Sequence, residues 1–175
     1  SVAGVYVVMA KTDPQAGRHG ISAFIVERDA PGLRVGKREH KLGVRASDTA
    51  EVIFEDVQVP AEDRIGPEGD GYRQAMRILE RGRIGIGAMA VGIGRAALEA
   101  SLAYSAQRHA FGQPIAQFQA IQWMLADMAT ELDAAWLLVL RAAWLVDQGL
   151  PFRREASIAK LWSSEAARRA AERAV

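Results

Sequence analysis

Arg108, His109, Ala110, Phe111, Gly112, Gln113, Pro114 and Ile115 stand in a row, with Phe118 and Gln119 just beyond them. The stretch puts a guanidinium at the end of one long apolar-periodic segment and an amide at the start of the next. A Gly/Pro turn brings the two ends together. Arg holds phosphate oxygens through two parallel hydrogen bonds, and a helix N-terminus points unpaired N–H groups outward. The arrangement therefore suits an anion or nucleotide grip. Simpler roles exist for the same residues: an Arg at a helix C-terminus complements the helix dipole, and Phe111 can equally plug a core beneath the turn.

A second constellation is Leu79-Glu80-Arg81-Gly82-Arg83. Glu80 and Arg83 are three apart and share a helix face, where the plain expectation is a surface ion pair worth a few tenths of a kcal/mol, roughly. The runs Gly85 to Ala90 and Gly92 to Ala97 both fit G-x-G-x-x-A. That fingerprint needs a preceding strand, and Tyr72 to Leu79 is helical in pattern, so helix packing is the better account of these glycines. His19, His40 and His109 share no metal-site spacing. No Ser/His/Asp arrangement is present.

The pattern R-x-A-F-G-x-P-I followed by F-Q, the segment Lys41 to Pro60 (KLGVRASDTAEVIFEDVQVP) and the Glu80 to Arg83 block together resemble the acyl-CoA dehydrogenase family, in its order and spacing over essentially the whole chain. The resemblance implies FAD as cofactor and an acyl-CoA thioester as substrate, with α,β-desaturation to a trans-2-enoyl-CoA. It also implies electron transfer to an electron-transfer flavoprotein, a homo-oligomer built as a dimer of dimers, and a bacterial cytoplasmic or mitochondrial matrix location. By the same resemblance, Arg108 and Gln119 hold the pyrophosphate and adenine side of FAD bound to a neighbouring subunit, with Phe111 and Phe118 as aromatic neighbours. Glu80 and Arg83 become acyl-CoA contacts. Arg81 stands where the family more often has an uncharged residue. Some relatives carry the catalytic carboxylate directly before the matching Arg, but here that position is Gly82. Glu80 is two positions away, about 200° round a helix, so the resemblance puts the catalytic Glu downstream of Val175. Oxidases and monooxygenases of the same fold, and a noncatalytic oligomerisation module, share these motifs.

These residues need two kinds of scaffold. Val5 to Met9, Ile21 to Val26 and Ala50 to Phe54 are β-branched or aromatic runs separated by turn chemistry at Asp13-Pro14, Gly17 to Gly20 and Pro31-Gly32. Asp48 and Thr49 suit a tight turn. From Asp70 the period becomes helical. The spacing predicts a helix from Gly71 to Gln107 with Tyr72, Ala75, Met76, Leu79, Ile86, Met89, Ile93, Ala97 and Leu98 on its apolar stripe. Gly82, Gly85, Gly87, Gly92 and Gly94 within it each cost about 1 kcal/mol relative to Ala, which points to close contact with a helix or ligand. A second helix is expected from Gln117 to Gln148, stopped by Gly149 and Pro151, and a third from Phe152 or Arg153 carrying Ile158, Leu161, Trp162 and Ala166. The fold class is α+β: an antiparallel, partial barrel or sandwich domain over residues 1–66, then a truncated antiparallel helical bundle over 67–175.

With 175 residues, half of them apolar, the chain can bury a core. Its net charge of +1, with basic residues dispersed, does not point to nucleic acid. The absence of cysteine removes disulfides and thiolate chemistry from consideration. The most apolar run, Ile84 to Ile93, is bounded by arginines and falls short of the roughly 20 residues a bilayer requires, so no membrane span is expected. Ser1 leads almost directly into a strand, and Ala166 to Val175 is helical without a stop signal, which reads as an internal piece of a longer protein.

Overall fold

The computed structural model describes residues 2–175. The chain forms two compact units, one ending at Met76 and the other running from Arg77 to Val175. In the first, β1 (Val5–Lys11) pairs antiparallel with β2 (Ile21–Glu27) in a register that runs from Val5 opposite Glu27 to Lys11 opposite Ile21. β3 (Leu33–Arg38) and β4 (Ala50–Phe54) form a separate antiparallel hairpin. A two-residue strand, β5 (Arg64–Ile65), completes the β1-β2-β5 sheet. Among the described residues these strands do not close into a barrel. Buried Ser22 accepts a hydrogen bond from Gly69 N–H at 2.9 Å and lies 2.9 Å from the Thr12 hydroxyl, anchoring the loop that leads out of the sheet.

Strands β3 and β5 are absent from the sequence reading. β3 carries a bulge between Val35 and Arg38 that interrupts the two-residue alternation, and β5 is too short to have a period.

Three helices follow: α1 (Gly71–Gln107), α2 (Gln119–Asp147) and α3 (Arg153–Ala174). A single turn of 3-10 helix, Ile115–Gln117, precedes α2, so α2 starts two residues later than the sequence suggests. Ion pairs fix the α2–α3 pair as antiparallel: Arg169 lies 2.7 Å from Glu131, Arg173 lies 3.4 Å from Asp127, and Arg141 lies 3.8 Å from Glu155. α1 runs antiparallel to α2 and parallel to α3. A Cβ built on Gly87 would lie 3.1 Å from Val139 Cγ2 and 3.5 Å from the Ala159 carbonyl; one on Gly94 would collide with Leu132 Cδ2 and lie 3.3 Å from Ala167 Cα. The Arg95 guanidinium lies 5.3 Å from the Trp136 ring centroid and adds a cation–π tie between α1 and α2.

The face of α1 that meets its neighbours is not the stripe of large residues. Gly87, Ala90, Val91 and Gly94 are buried, whereas Tyr72, Leu79, Ile86, Met89 and Ile93 are exposed. On α3 the buried set is Ala156, Ala159, Ser163, Ala166, Ala167 and Ala170, with Leu161 and Trp162 outward. α2 follows the expected stripe more closely, through Met128, Leu132, Ala135 and Val139. Of the five glycines inside α1 beyond its first residue, two therefore mark helix contact. Gly82, Gly85 and Gly92 face nothing within 4 Å. At 37 residues α1 is long and apolar enough to cross a membrane, unlike the shorter run considered above. Its glycine face is occupied by α2 and α3, and Glu80, Arg81, Arg83, Arg95 and Glu99 punctuate it, which is the character of a bundle helix.

Two stability measurements on the chain check this packing. Gly94→Ala is expected to lower stability by about 1–3 kcal/mol in urea unfolding, because the bundle is overfilled there. Gly92→Ala, with open space at its Cβ, raises it by up to about 1 kcal/mol through helix propensity. Ser163 is fully buried and its hydroxyl has no hydrogen-bond partner. Ser163→Ala should then stabilise by roughly 1 kcal/mol, since an unsatisfied buried hydroxyl is removed at nearly constant volume.

Candidate functional site

α1 ends at Gln107, and Arg108 N–H still bonds to the Tyr104 carbonyl at 2.8 Å. The chain then makes a tight hairpin in which β6 (His109–Ala110) pairs with β7 (Gln113–Pro114). Ile115 N–H closes it onto the Arg108 carbonyl at 2.8 Å. At the tip Phe111 and Gly112 both have positive φ, 52° and 83°, the signature of a two-residue turn matched to strand twist. Gly takes this conformation at no steric cost. For Phe it is an outlier, of order 1–3 kcal/mol.

Phe111 is 97% exposed, which removes the core-plug role considered for it. Its ring makes an edge contact with Phe118, centroids 6.2 Å apart and planes at 86°. Phe118 occupies the N-cap position of α2 with no side-chain cap, and its carbonyl accepts from Ile121 N–H at 3.0 Å and Gln122 N–H at 3.1 Å. Gln119 is the first residue of α2 and is exposed; Arg108 is exposed too, with no side-chain partner among the described residues. The hairpin therefore gathers Arg108, Phe111, Phe118 and Gln119 at one end of the bundle. A cation, two aromatic rings, an amide and an uncapped helix N-terminus form a donor set suited to a phosphate flanked by an aromatic group.

Glu80 and Arg83 lie toward the other end of α1. They do not pair with each other; each bonds instead to α3. Glu80, whose side chain is 21% exposed, forms an ion pair with Arg153. Arg83 Nη1 donates to Ser157 Oγ at 2.5 Å. Beside them is a cleft of about 510 Å³ lined by Arg77, Ile78, Glu80, Arg81 and Phe152, which places Arg81 on its wall. Gly82 is exposed with nothing beside it. Phe152 on the cleft wall, and Arg153 and Ser157 on Glu80 and Arg83, escape a reading of the sequence, because they meet α1 from more than seventy residues away. One local sign was available: Arg153 and Arg154 occupy the first turn of a helix, where positive charge is disfavoured.

Arg83 is on α1 and Arg108 directly follows its last residue, so 25 residues at 1.5 Å rise separate them by about 37 Å. Two groups that far apart on one rigid helix address opposite ends of the bundle. Among the described residues no group of His, Cys, Asp and Glu could hold a metal ion.

Residues 69–175 match the acyl-CoA dehydrogenase C-terminal domain, and residues 1–57 match the acyl-CoA dehydrogenase middle domain. Acryloyl-CoA reductase (NADH) of Anaerotignum propionicum is 50% identical over 166 residues, covering 95% of this chain and 42% of the relative. The butyryl-CoA dehydrogenase structure from Megasphaera elsdenii superposes with a TM-score of 0.96 at 46% identity, over 98% of this chain and 45% of that one. A structure described as the electron transferring flavoprotein of Acidaminococcus fermentans gives 0.93 at 49% identity, over 95% of this chain and 44% of that one. The chain thus spans less than half the length of these relatives. On the match of both domains across nearly all its residues, the chain belongs to the acyl-CoA dehydrogenase family.

Proposed function

We propose that the whole protein is an FAD-dependent acyl-CoA dehydrogenase that desaturates an acyl-CoA thioester to the trans-2-enoyl-CoA and passes electrons to an electron-transfer flavoprotein. In this reading residues 1–66 belong to the β domain and 67–175 to the helical domain. The observation that carries it is the hairpin tip: an unpartnered Arg108 and a 97% exposed Phe111 held at positive φ. Within the described residues this strained, solvated ring makes only an edge contact with Phe118. Its role is that of a contact surface for a cofactor on a second copy, with Arg108 on the diphosphate, Gln119 toward the adenine side and Phe118 backing Phe111.

Glu80 and Arg83 serve as thioester contacts at the opposite end of α1. The separation of about 37 Å along the helix means that one copy does not bring both ends to a single cofactor, so the working form is a homo-oligomer. A bound flavin supplies the acceptor for the substrate β hydride. The α proton goes to a carboxylate outside these residues, since Gly82 has no side chain and Glu80 is committed to Arg153. What this chain contributes is binding and orientation.

In the whole protein, Arg108→Ala is expected to weaken FAD retention by about tenfold or more, with Arg108→Lys intermediate because a point charge replaces a bidentate fork. The ratio of flavin to protein absorbance after gel filtration measures it; unchanged retention sinks the grip. Anaerobic titration with acyl-CoA thioesters is expected to bleach the flavin, and an electron-transfer flavoprotein should restore it. Bleaching that reverses with oxygen consumption and no other acceptor identifies an oxidase or monooxygenase instead. No bleaching with any thioester leaves a noncatalytic assembly module.

A further inference from the structure

We propose that Ser157 and Arg153, at the N-terminal end of α3, are positioning residues that hold Arg83 and Glu80 in place for the thioester; this rests on the reading of those two residues as substrate contacts. The four groups form one connected polar unit. Arg83 Nη1 donates to Ser157 Oγ at 2.5 Å, Ser157 Oγ donates to the Arg153 carbonyl at 2.9 Å, and the Arg153 side chain pairs with Glu80. A serine hydroxyl has one proton and two acceptor sites. Its proton goes to the backbone of the preceding turn, so the oxygen is left to accept from Arg83. The guanidinium is thereby fixed through one of its nitrogens, and its other donors remain available to a ligand.

The placement of Arg153 supports the same conclusion from different physics. A cation in the first turn of a helix opposes the helix dipole, and a second one, Arg154, follows it. Arg153 is 76% exposed at the side chain, yet it reaches back to a carboxylate that is only 21% exposed. A local rule broken in this way signals a compensating contact. Here the contact holds Glu80, which lines the 510 Å³ cleft together with Phe152, the residue just before Arg153. The start of α3 therefore acts as a backing plate for two residues of α1. Ser157 and Arg153 need not touch the ligand themselves.

The test uses the purified flavin-loaded whole protein, with butyryl-CoA and octanoyl-CoA as substrates and calorimetric titration with CoA as a readout independent of turnover. Ser157→Ala is expected to raise KM, and the Kd for CoA, by about tenfold with little change in kcat. Flavin content and Tm should be retained. Ser157→Thr keeps the hydroxyl and should return both constants to within about twofold of the parent. Added to Arg83→Gln, the Ser157→Ala change should cost nothing further, because the interaction it supports is already gone. Arg153→Gln should act like Ser157→Ala.

If Ser157→Ala leaves KM and Kd unchanged while Arg83→Gln impairs both, the positioning role is overturned and the substrate reading stands. Additive losses in the double variant, or a fall in Tm with unaltered KM in the flavin-loaded fraction, overturn it likewise. If Arg83→Gln itself changes neither constant, the reading of Glu80 and Arg83 as thioester contacts fails, and this inference with it.

Discussion

The helical unit depends on the closeness with which three backbones approach. Gly87 and Gly94 of α1 leave no room for a side chain against Val139, Leu132 and the backbone of α3, and α3 answers with alanines at 156, 159, 166, 167 and 170. Small residues let helices pack near the short end of the usual 8–10 Å range. The dispersion contacts then come from Leu132 and Val139 of α2 set against the glycines of α1, and from the main chain and alanines of α3. This seam fixes the axial position of α1 against α3. It is therefore also what brings Glu80 level with Arg153, and Arg83 level with Ser157.

Met128, Leu132 and Val139 of α2 are buried in this seam, but many other large apolar side chains are not. Ile86, Met89 and Ile93 on α1, Trp123, Leu137 and Trp144 on α2, and Leu161 on α3 are all largely exposed. Scattered exposed apolar residues are ordinary, but here they recur on the outer faces of all three helices. That distribution is unusual for a monomer. It agrees with the oligomer that the proposed function requires.

The three helices were legible in the sequence because their periodicity and stop signals are local: Gly71, Gln107, Gly149 and Arg153 mark ends that the structure keeps within two residues. The inward faces of α1 and α3 were not legible. A hydrophobic stripe weighs residues by transfer free energy, so it assigns Leu79, Met89 and Leu161 to the core and overlooks Ala159, although the glycines of α1 did signal close contact, rightly at Gly87 and Gly94 and wrongly at Gly82, Gly85 and Gly92. Close approach is a property of pairs of helices, so one helix can hint at it through its glycines without telling which of them meet a partner. The same limit governs the site. Arg108, Phe111 and Gln119 sit within one short stretch and can be picked out together, whereas Ser157 enters only through a neighbour seventy-four residues away. The hairpin itself was read only as a turn, because its tip puts a Phe where turn chemistry favours Gly, Asn or Asp.

That Phe is where local rule and global requirement part company. Holding Phe111 at φ 52° costs about 1–3 kcal/mol, and within this chain the ring recovers only an edge contact with Phe118, worth about 0.5–1.5 kcal/mol beyond any area buried. Fully covering a Phe side chain contributes roughly 1.5–3 kcal/mol, enough to offset the strain once another surface lies against the tip. The hairpin pairing, with His109 opposite Pro114 and Ala110 opposite Gln113, and the bond from Ile115 N–H to the Arg108 carbonyl set the geometry before any such surface arrives. The Arg108 backbone is thus held at both its N–H and its carbonyl at the end of a helix. A ligand that binds there has only the side chain to order, which costs less freedom than ordering a mobile loop as well.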